Sequence, residues 1–291
     1  MSRSHFSYAT TFGINGHRPS MTEPHTFKHE AMKTIFTFRI LCEDIQLAQD
    51  VAHASIALLD EIENTLSRYI EGNDIWLINH MQANETRLLS EHCYECLRLA
   101  LEAYVQTAGL FDITLGQQIE HQKNALEGPP PALSGQLMVD PDKPAVHCVE
   151  AGREIDLGGI GKGYALDQVK DLMQEWGIES ALLSAGSSTQ LAFGPTGWNI
   201  ELQGDHSALN FELKNQALSA SGTGIQGSHI VSPREVTTDY QYKRIWCLEA
   251  NATFADAWST AIMLMDKKEL HSLSTNGALI FVEKNQKITK L

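Results

Sequence analysis

The chain is poor in cysteine, in positive charge and in long apolar runs. Five cysteines in 291 residues (Cys42, Cys93, Cys96, Cys148, Cys247) are an odd, sparse set and make a poor disulfide framework. A reduced, cytoplasmic protein is the expectation. Lys and Arg number 22 against 36 Asp and Glu, a net charge of −14. That deficit argues against a nucleic-acid or anionic-membrane surface, because both need clustered basic side chains. An anionic small substrate stays possible if a metal or isolated basic residues supply local positive charge. No stretch is apolar for long enough to span a bilayer, and the opening MSRSHFSYATTFGINGHRPSMTEPH lacks the apolar core of a signal peptide. Proline is scarce as well. Five of the nine prolines fall within 121–147, which reads as one irregular connection inside a domain.

The hydrophobic and charged fractions, 43% and 20%, are those of an ordinary globular chain with a substantial core. Residues 1–28 lack periodicity and are expected to be a flexible arm, leaving 29–291 as one unit. TIFTFRIL (34–41) alternates like a strand. From the cap-type Asp44, Ile45, Ala48, Ala52, Ile56, Leu59 and Ile62 recur at helical spacing. A second helix is expected from Ser90 to a left-handed Gly109. REIDL (153–157) reads as a strand leading into a glycine turn and a helix over 162–176. Strands on ESALLSA, GWNIELQ, LNFELK, ALSASG and KRIWCLEA follow, then a helix over 254–265 and a closing hairpin. Strands joined by short turns pair antiparallel, so the expected class is α+β, with mixed, largely antiparallel sheets flanked by helices.

Three places could carry chemistry. DLGGIGKGYALD (156–167) puts Gly158, Gly159, Gly161 and Gly163 around Lys162, a strand–turn–helix arrangement suited to anions. It is neither of the two common nucleotide loops: a Walker loop needs Ser or Thr after its lysine, and a Rossmann turn needs G-x-G-x-x-G. Spacing alone leaves a tight structural turn and a ligand site both open. In FADAWSTA, Asp256 and Thr260 project from one helix face and could bind a hard cation such as Mg²⁺, or form a plain polar face. His229, in SHIVSPRE, could act as a general base, although it is one of twelve histidines. Cys93 and Cys96 have no second ligand pair and read as packed side chains of a helix.

Six segments together, AMKT (31–34), LSRYIEGNDIWLIN (66–79), GLFDITLG (109–116), DLGGIGKGYALD (156–167), HIVSP (229–233) and ADAWSTA (255–261), resemble the ApbE family of FAD:protein FMN transferases, in that family's order. The resemblance implies an enzyme that takes FAD and Mg²⁺, moves FMN onto a Thr or Ser hydroxyl of an acceptor flavoprotein, and releases AMP. It implies a metal held by the Gly161 carbonyl, Asp256 and Thr260, with His229 and Lys162 as catalytic groups. It further implies an FAD pocket drawn from Met32, Tyr69, Asn79, Phe111, Asp112, Thr114, Gly159, Lys162, Ser187 and Ser221. The chain departs from the family pattern at several points. Lys33 stands where AMGT has glycine, Gly186-Ser187-Ser188 where Gly-Gly-Asp is usual, Thr223 within an SG-D-Y pattern, and Ser232 for the Asp of HIxDP. An FAD pyrophosphatase and a non-catalytic flavin- or nucleotide-binding relative are therefore kept as alternatives.

Overall fold

The computed structural model describes residues 23–223, 230–234, 240–275 and 278–291. A hairpin of β1 (His25–Ala31) and β2 (Thr34–Leu41) opens the fold. The helices α1 (Ile45–Leu66) and α2 (Asp74–Asn79), the short β3 (Thr86–Leu88), and the helices α3 (Glu91–Gln106) and α4 (Gly116–Lys123) come next. Strands β4 (Gln136–Val139) and β5 (Ala145–Glu150) precede α5 (Gly161–Glu175). Then come β6 (Ser180–Ala185), β7 (Thr189–Phe193), β8 (Trp198–Gln203), β9 (Ala208–Leu213), β10 (Gln216–Gly222) and β11 (Arg244–Glu249). The chain closes with α6 (Ala252–Met263), α7 (Lys267–Thr275), β12 (Leu279–Lys284) and β13 (Lys287–Lys290).

Eight strands form the central sheet in the order β1-β2-β6-β7-β10-β11-β12-β13, and every pair in it is antiparallel. In β2 the pleat sends Phe36, Phe38 and Ile40 inward, and all three are fully buried. Helix α1 starts where the Asp44 carboxylate accepts from the Gln46 and Leu47 amides. Its buried stripe of Ala48, Val51, Ala52, Ser55, Leu59, Ile62 and Leu66 faces the core. Helices α1, α5 and α6 cover one face of the sheet; the β8–β9 ribbon covers the other, with Trp198, Ile200, Leu202 and Leu213 packed against Leu218, Trp246 and Phe281. The α+β class, the antiparallel pairing and the cap at Asp44 are as expected.

Four expectations differ from the fold. REIDL is not a strand: among its residues Glu154 alone is bridged, to Leu115. The proline-rich stretch is not wholly irregular, because β4 and β5 pair with each other and β5 with β3 in a small sheet. Helix α4 and strand β7 carry no clear periodic signal, and helix α7 stands where a direct passage into the closing hairpin is expected. The first strand also begins at His25, ahead of the boundary placed at residue 29. Among the described residues no helix is long and apolar enough to cross a membrane.

Candidate active site

The glycine segment is shaped by its first residue. Asp156 Oδ1 accepts from the Gly158 amide at 2.8 Å, and the Ile160 and Gly161 amides both bond back to Leu157 O, so the chain turns tightly into α5. Gly163 then lets two helices meet backbone to backbone. A Cβ placed there would lie 2.1 Å from Ala252 O and 2.9 Å from Thr253 Cα, where α6 begins. One turn further along α5, Asp167 accepts from the Ala252 and Thr253 amides (2.9 and 2.8 Å) and from the Thr253 hydroxyl. Burial pushes the Asp167 carboxyl up, and these three donors pull against that shift. The N-terminal amides of α6 are therefore satisfied by a neighbouring helix as well as by the Asn251 cap.

This docking sets Asp256 beneath the glycine segment. Asp256 is 4% exposed and engages four donors. Its Oδ1 faces the hydroxyls of Thr189 (3.3 Å) and Ser219 (3.2 Å), which come from β7 and β10. Its Oδ2 faces the Gly163 amide at 3.2 Å and the Lys162 ammonium at 3.6 Å. Lys162 also donates to Gly158 O at 2.9 Å. Thr260 sits one turn on, its Oγ1 3.2 Å from where a Gly159 Cβ would stand. Gly158, Gly159, Lys162, Asp256 and Thr260 thus line one cleft of about 200 Å³. Its oxygen groups are the carboxylates of Asp112, Asp156 and Asp256, the hydroxyls of Ser188, Ser221 and Thr260, and main-chain carbonyls, with Asp256 and Thr260 one helical turn apart. That oxygen-only set suits Mg²⁺ and not a soft metal. Among the described residues no group of three His, Cys, Asp or Glu could hold a metal by itself, so any cation here would need waters or substrate oxygens to complete its shell.

A second cleft adjoins the first and shares Lys123, Asp156, Gly158 and Lys162 with it. Its wall is Tyr69, which is 50% exposed, with the Lys33 ammonium 4.0 Å from the ring centroid and Arg68 and Lys123 each at 5.9 Å. Asp156 Oδ2 balances two of these cations, at 3.4 Å from Arg68 and 3.5 Å from Lys123. Met32 and Lys33 form the β1–β2 turn, both with left-handed φ (50° and 58°), as a two-residue hairpin turn of this type requires. Glycine would take the Lys33 position without strain.

The expected residues fall into three groups. Phe111, Asp112, Gly159, Lys162, Ser221, Asp256 and Thr260 line the first cleft, and Met32, Tyr69 and Gly161 line the second, again with Lys162. Gly161 therefore sits in the cleft next to that of Asp256 and Thr260. Asn79 lines neither. Its amide accepts from Ile155 N at 2.6 Å and donates to Ile155 O at 3.0 Å, bracing the chain that leads to the glycine turn. Thr114 is turned away, bonded to Asp112 and Arg153 beside a separate cavity. Ser187 points to solvent, and its neighbour Ser188 lines the first cleft instead. His229 lies outside the described residues. Lys123, Thr189 and Ser219 also belong to the site though no sequence pattern marks them, as does Asp156 at the head of the glycine segment. Cys93 and Cys96 are buried in the core, where burial pushes both thiols far up, as suits packed and unreactive side chains.

A family model described as the ApbE family matches residues 32–280. The chain belongs to the ApbE family. That match takes in both clefts, from Met32 through Thr260. Among curated proteins, the FAD:protein FMN transferase of Buchnera aphidicola is 23% identical over 265 residues, covering 78% of this chain and 76% of that protein. The Escherichia coli K12 protein of the same name is 22% identical over 278 residues, covering 84% and 79%. The fold also matches solved ApbE structures. Flavinyl transferase ApbE of Pseudomonas stutzeri in its apo form superposes with a TM-score of 0.81 at 21% identity, over 94% of this chain and 96% of that one. The ApbE protein of Thermotoga maritima gives 0.77 at 22% identity, over 92% and 97%.

Proposed function

We propose that this chain transfers FMN from FAD to a Thr or Ser hydroxyl of an acceptor flavoprotein, with Mg²⁺, releasing AMP. The observation that carries the reading is the convergence of two segments far apart in sequence. Gly158, Gly159 and Lys162 meet Asp256 and Thr260 in one cleft, continuous with a second cleft walled by an aromatic ring. Two joined clefts suit a dinucleotide, whose two ring systems flank a pyrophosphate. Curated relatives that match most of this chain carry the name of this activity.

Asp256, Thr260 and a carbonyl of the glycine segment would hold the cation; Gly158 lies in their cleft, whereas Gly161, the residue the family pattern implies, lines the adjoining one. When bound, Mg²⁺ supplies charge to the pyrophosphate oxygens and lowers the barrier to attack. Lys162, which lines both clefts, offers a cation to the phosphate nearest the leaving AMP. Thr189, Ser219 and the Gly163 amide hold the Asp256 carboxylate in one orientation. Lys33 and Lys162 lend local positive charge in a chain of net charge −14, while Arg68 and Lys123 are balanced by Glu154 and Asp156. In this reading His229 takes the proton from the acceptor hydroxyl as its oxygen bonds to the FMN phosphorus, and the bond to the AMP oxygen breaks in line. Ser221, Phe111 and Asp112 line the first cleft and Met32 and Tyr69 the second, where they would contact the flavin and adenine ends.

A thermal-shift panel of FAD, FMN, NAD, ADP and AMP, each with and without Mg²⁺, tests the ligand. FAD with Mg²⁺ is expected to raise the melting midpoint most, by the equivalent of about 2.7 kcal/mol at a hundredfold excess over Kd. A larger shift with NAD would move the substrate to another dinucleotide. No shift with any nucleotide would remove the reading.

A further inference from the structure

The four donors around Asp256 are not equivalent. Three belong to the folded frame: the Thr189 and Ser219 hydroxyls come from buried positions in adjacent central strands, and the Gly163 amide from the first turn of α5. The fourth is the Lys162 ammonium, at the end of a flexible stem that lines both clefts, 3.6 Å from Oδ2 and 2.9 Å from Gly158 O. An ammonium on one carboxylate and one glycine-turn carbonyl occupies the kind of oxygen donors a divalent cation would seek. With three hydrogen bonds already on Asp256 and the ammonium at ion-pair distance from Oδ2, a divalent ion binding there has to displace that positive charge. Lys162 is the partner that can leave without disturbing the fold.

We propose that Lys162 is a displaceable placeholder for the metal, and that its departure couples cation binding to substrate binding. The inference rests on the proposed function, since it takes Asp256 as a metal ligand and a pyrophosphate as the anion. A divalent ion arriving at Asp256 repels the ammonium a few ångströms away, so Lys162 must swing off. In the free protein it swings into water, and the ion pair with Asp256 is lost. With a pyrophosphate in the cleft it swings onto a phosphate oxygen, and one ion pair replaces the other. The nucleotide therefore eases metal entry and, by linkage, the metal tightens nucleotide binding by the same factor. The placeholder also keeps a buried carboxylate paired before either ligand arrives.

The probes are Mn²⁺, followed by electron paramagnetic resonance, and ADP, which carries the pyrophosphate. In the unaltered protein, ADP is expected to tighten Mn²⁺ binding about tenfold. In Lys162→Met, Mn²⁺ alone is expected to bind about tenfold more tightly than in the unaltered protein, and ADP should then add little. A residue that only held the fold together would weaken metal binding on removal, so the sign of the change separates the roles. Lys162→Gln, which keeps a polar end but no charge, repeats the measurement if the methionine variant melts early. Unchanged or weaker Mn²⁺ affinity in folded variants, with binding still abolished by Asp256→Asn, would overturn the placeholder and leave the metal site standing. Absence of Mn²⁺ binding in every form, with ADP or without, would overturn both.

Discussion

If Asp256 holds the cation as proposed, Asp256→Asn is expected to slow FMN transfer by about a thousandfold, because the exchange removes the anionic side chain of the proposed Asp256–Thr260 pair. The shape of the side chain is kept, so the loss is electrostatic. Asn retains an oxygen for the Thr189 and Ser219 hydroxyls, whereas its NH₂ meets the Gly163 amide, donor against donor. That mismatch costs about 1–3 kcal/mol of stability. A melting curve run beside the rate assay separates the two effects. A variant that melts a few degrees early and still transfers at half the normal rate would show that Asp256 is structural.

The second large effect is on the fold, at Gly163. Alanine normally favours a helix interior over glycine by about 1 kcal/mol. Here its Cβ would sit 2.1 Å from Ala252 O and 2.6 Å from Ala252 C, and these are backbone atoms that no rotamer change can move. The steric cost wins. Gly163→Ala is expected to destabilise the protein by about 3 kcal/mol or more and to push α6, and Asp256 with it, off the glycine segment. Gly161→Ala is the matched control. Its Cβ would meet nothing closer than Leu157 Cβ at 3.9 Å, so that variant should be neutral or slightly stabilised. Urea unfolding of the pair measures the difference; equal midpoints would mean that the α5–α6 contact has slack the structure does not show.

Much of the fold could be read from the chain, and the reasons are local. Asp44 before an apolar stripe, the alternation in TIFTFRIL and the terminal hairpin are short-range patterns. What was missed depends on distant partners. GQQIEHQK has no apolar stripe, so nothing marked it as helix α4, and Lys123 at its end was not connected to Tyr69 or Asp156. QLMV is four residues long among prolines and becomes a strand because β5 lies beside it. Thr189 and Ser219 look like ordinary strand residues until Asp256 is placed between them.

The site divides in the same way. Spacing marks Asp256, Thr260 and Lys162, the family resemblance adds Gly159, and the fold brings all four to one cleft. Asn79 and Thr114 share segments with lining residues, and their polar ends are spent on Ile155 and on Asp112 and Arg153. A motif indicates which segment approaches a ligand; the direction of each side chain comes from the turn it sits on. At the β6–β7 turn an offset of one residue decides between exposed Ser187 and cleft-lining Ser188. The Lys33 turn shows how a departure from the family pattern is accommodated: Lys33 takes a left-handed φ of 58°, and its side chain is laid over Tyr69.

Intact-mass spectrometry of an acceptor flavoprotein incubated with this chain, FAD and Mg²⁺ tests the central claim most directly. The account predicts that the acceptor gains the mass of one FMN at a Thr or Ser, that AMP appears in equal amount, and that chelation of Mg²⁺ stops both. An acceptor of unchanged mass, with FAD hydrolysed to free FMN and AMP, would contradict transfer and identify a pyrophosphatase.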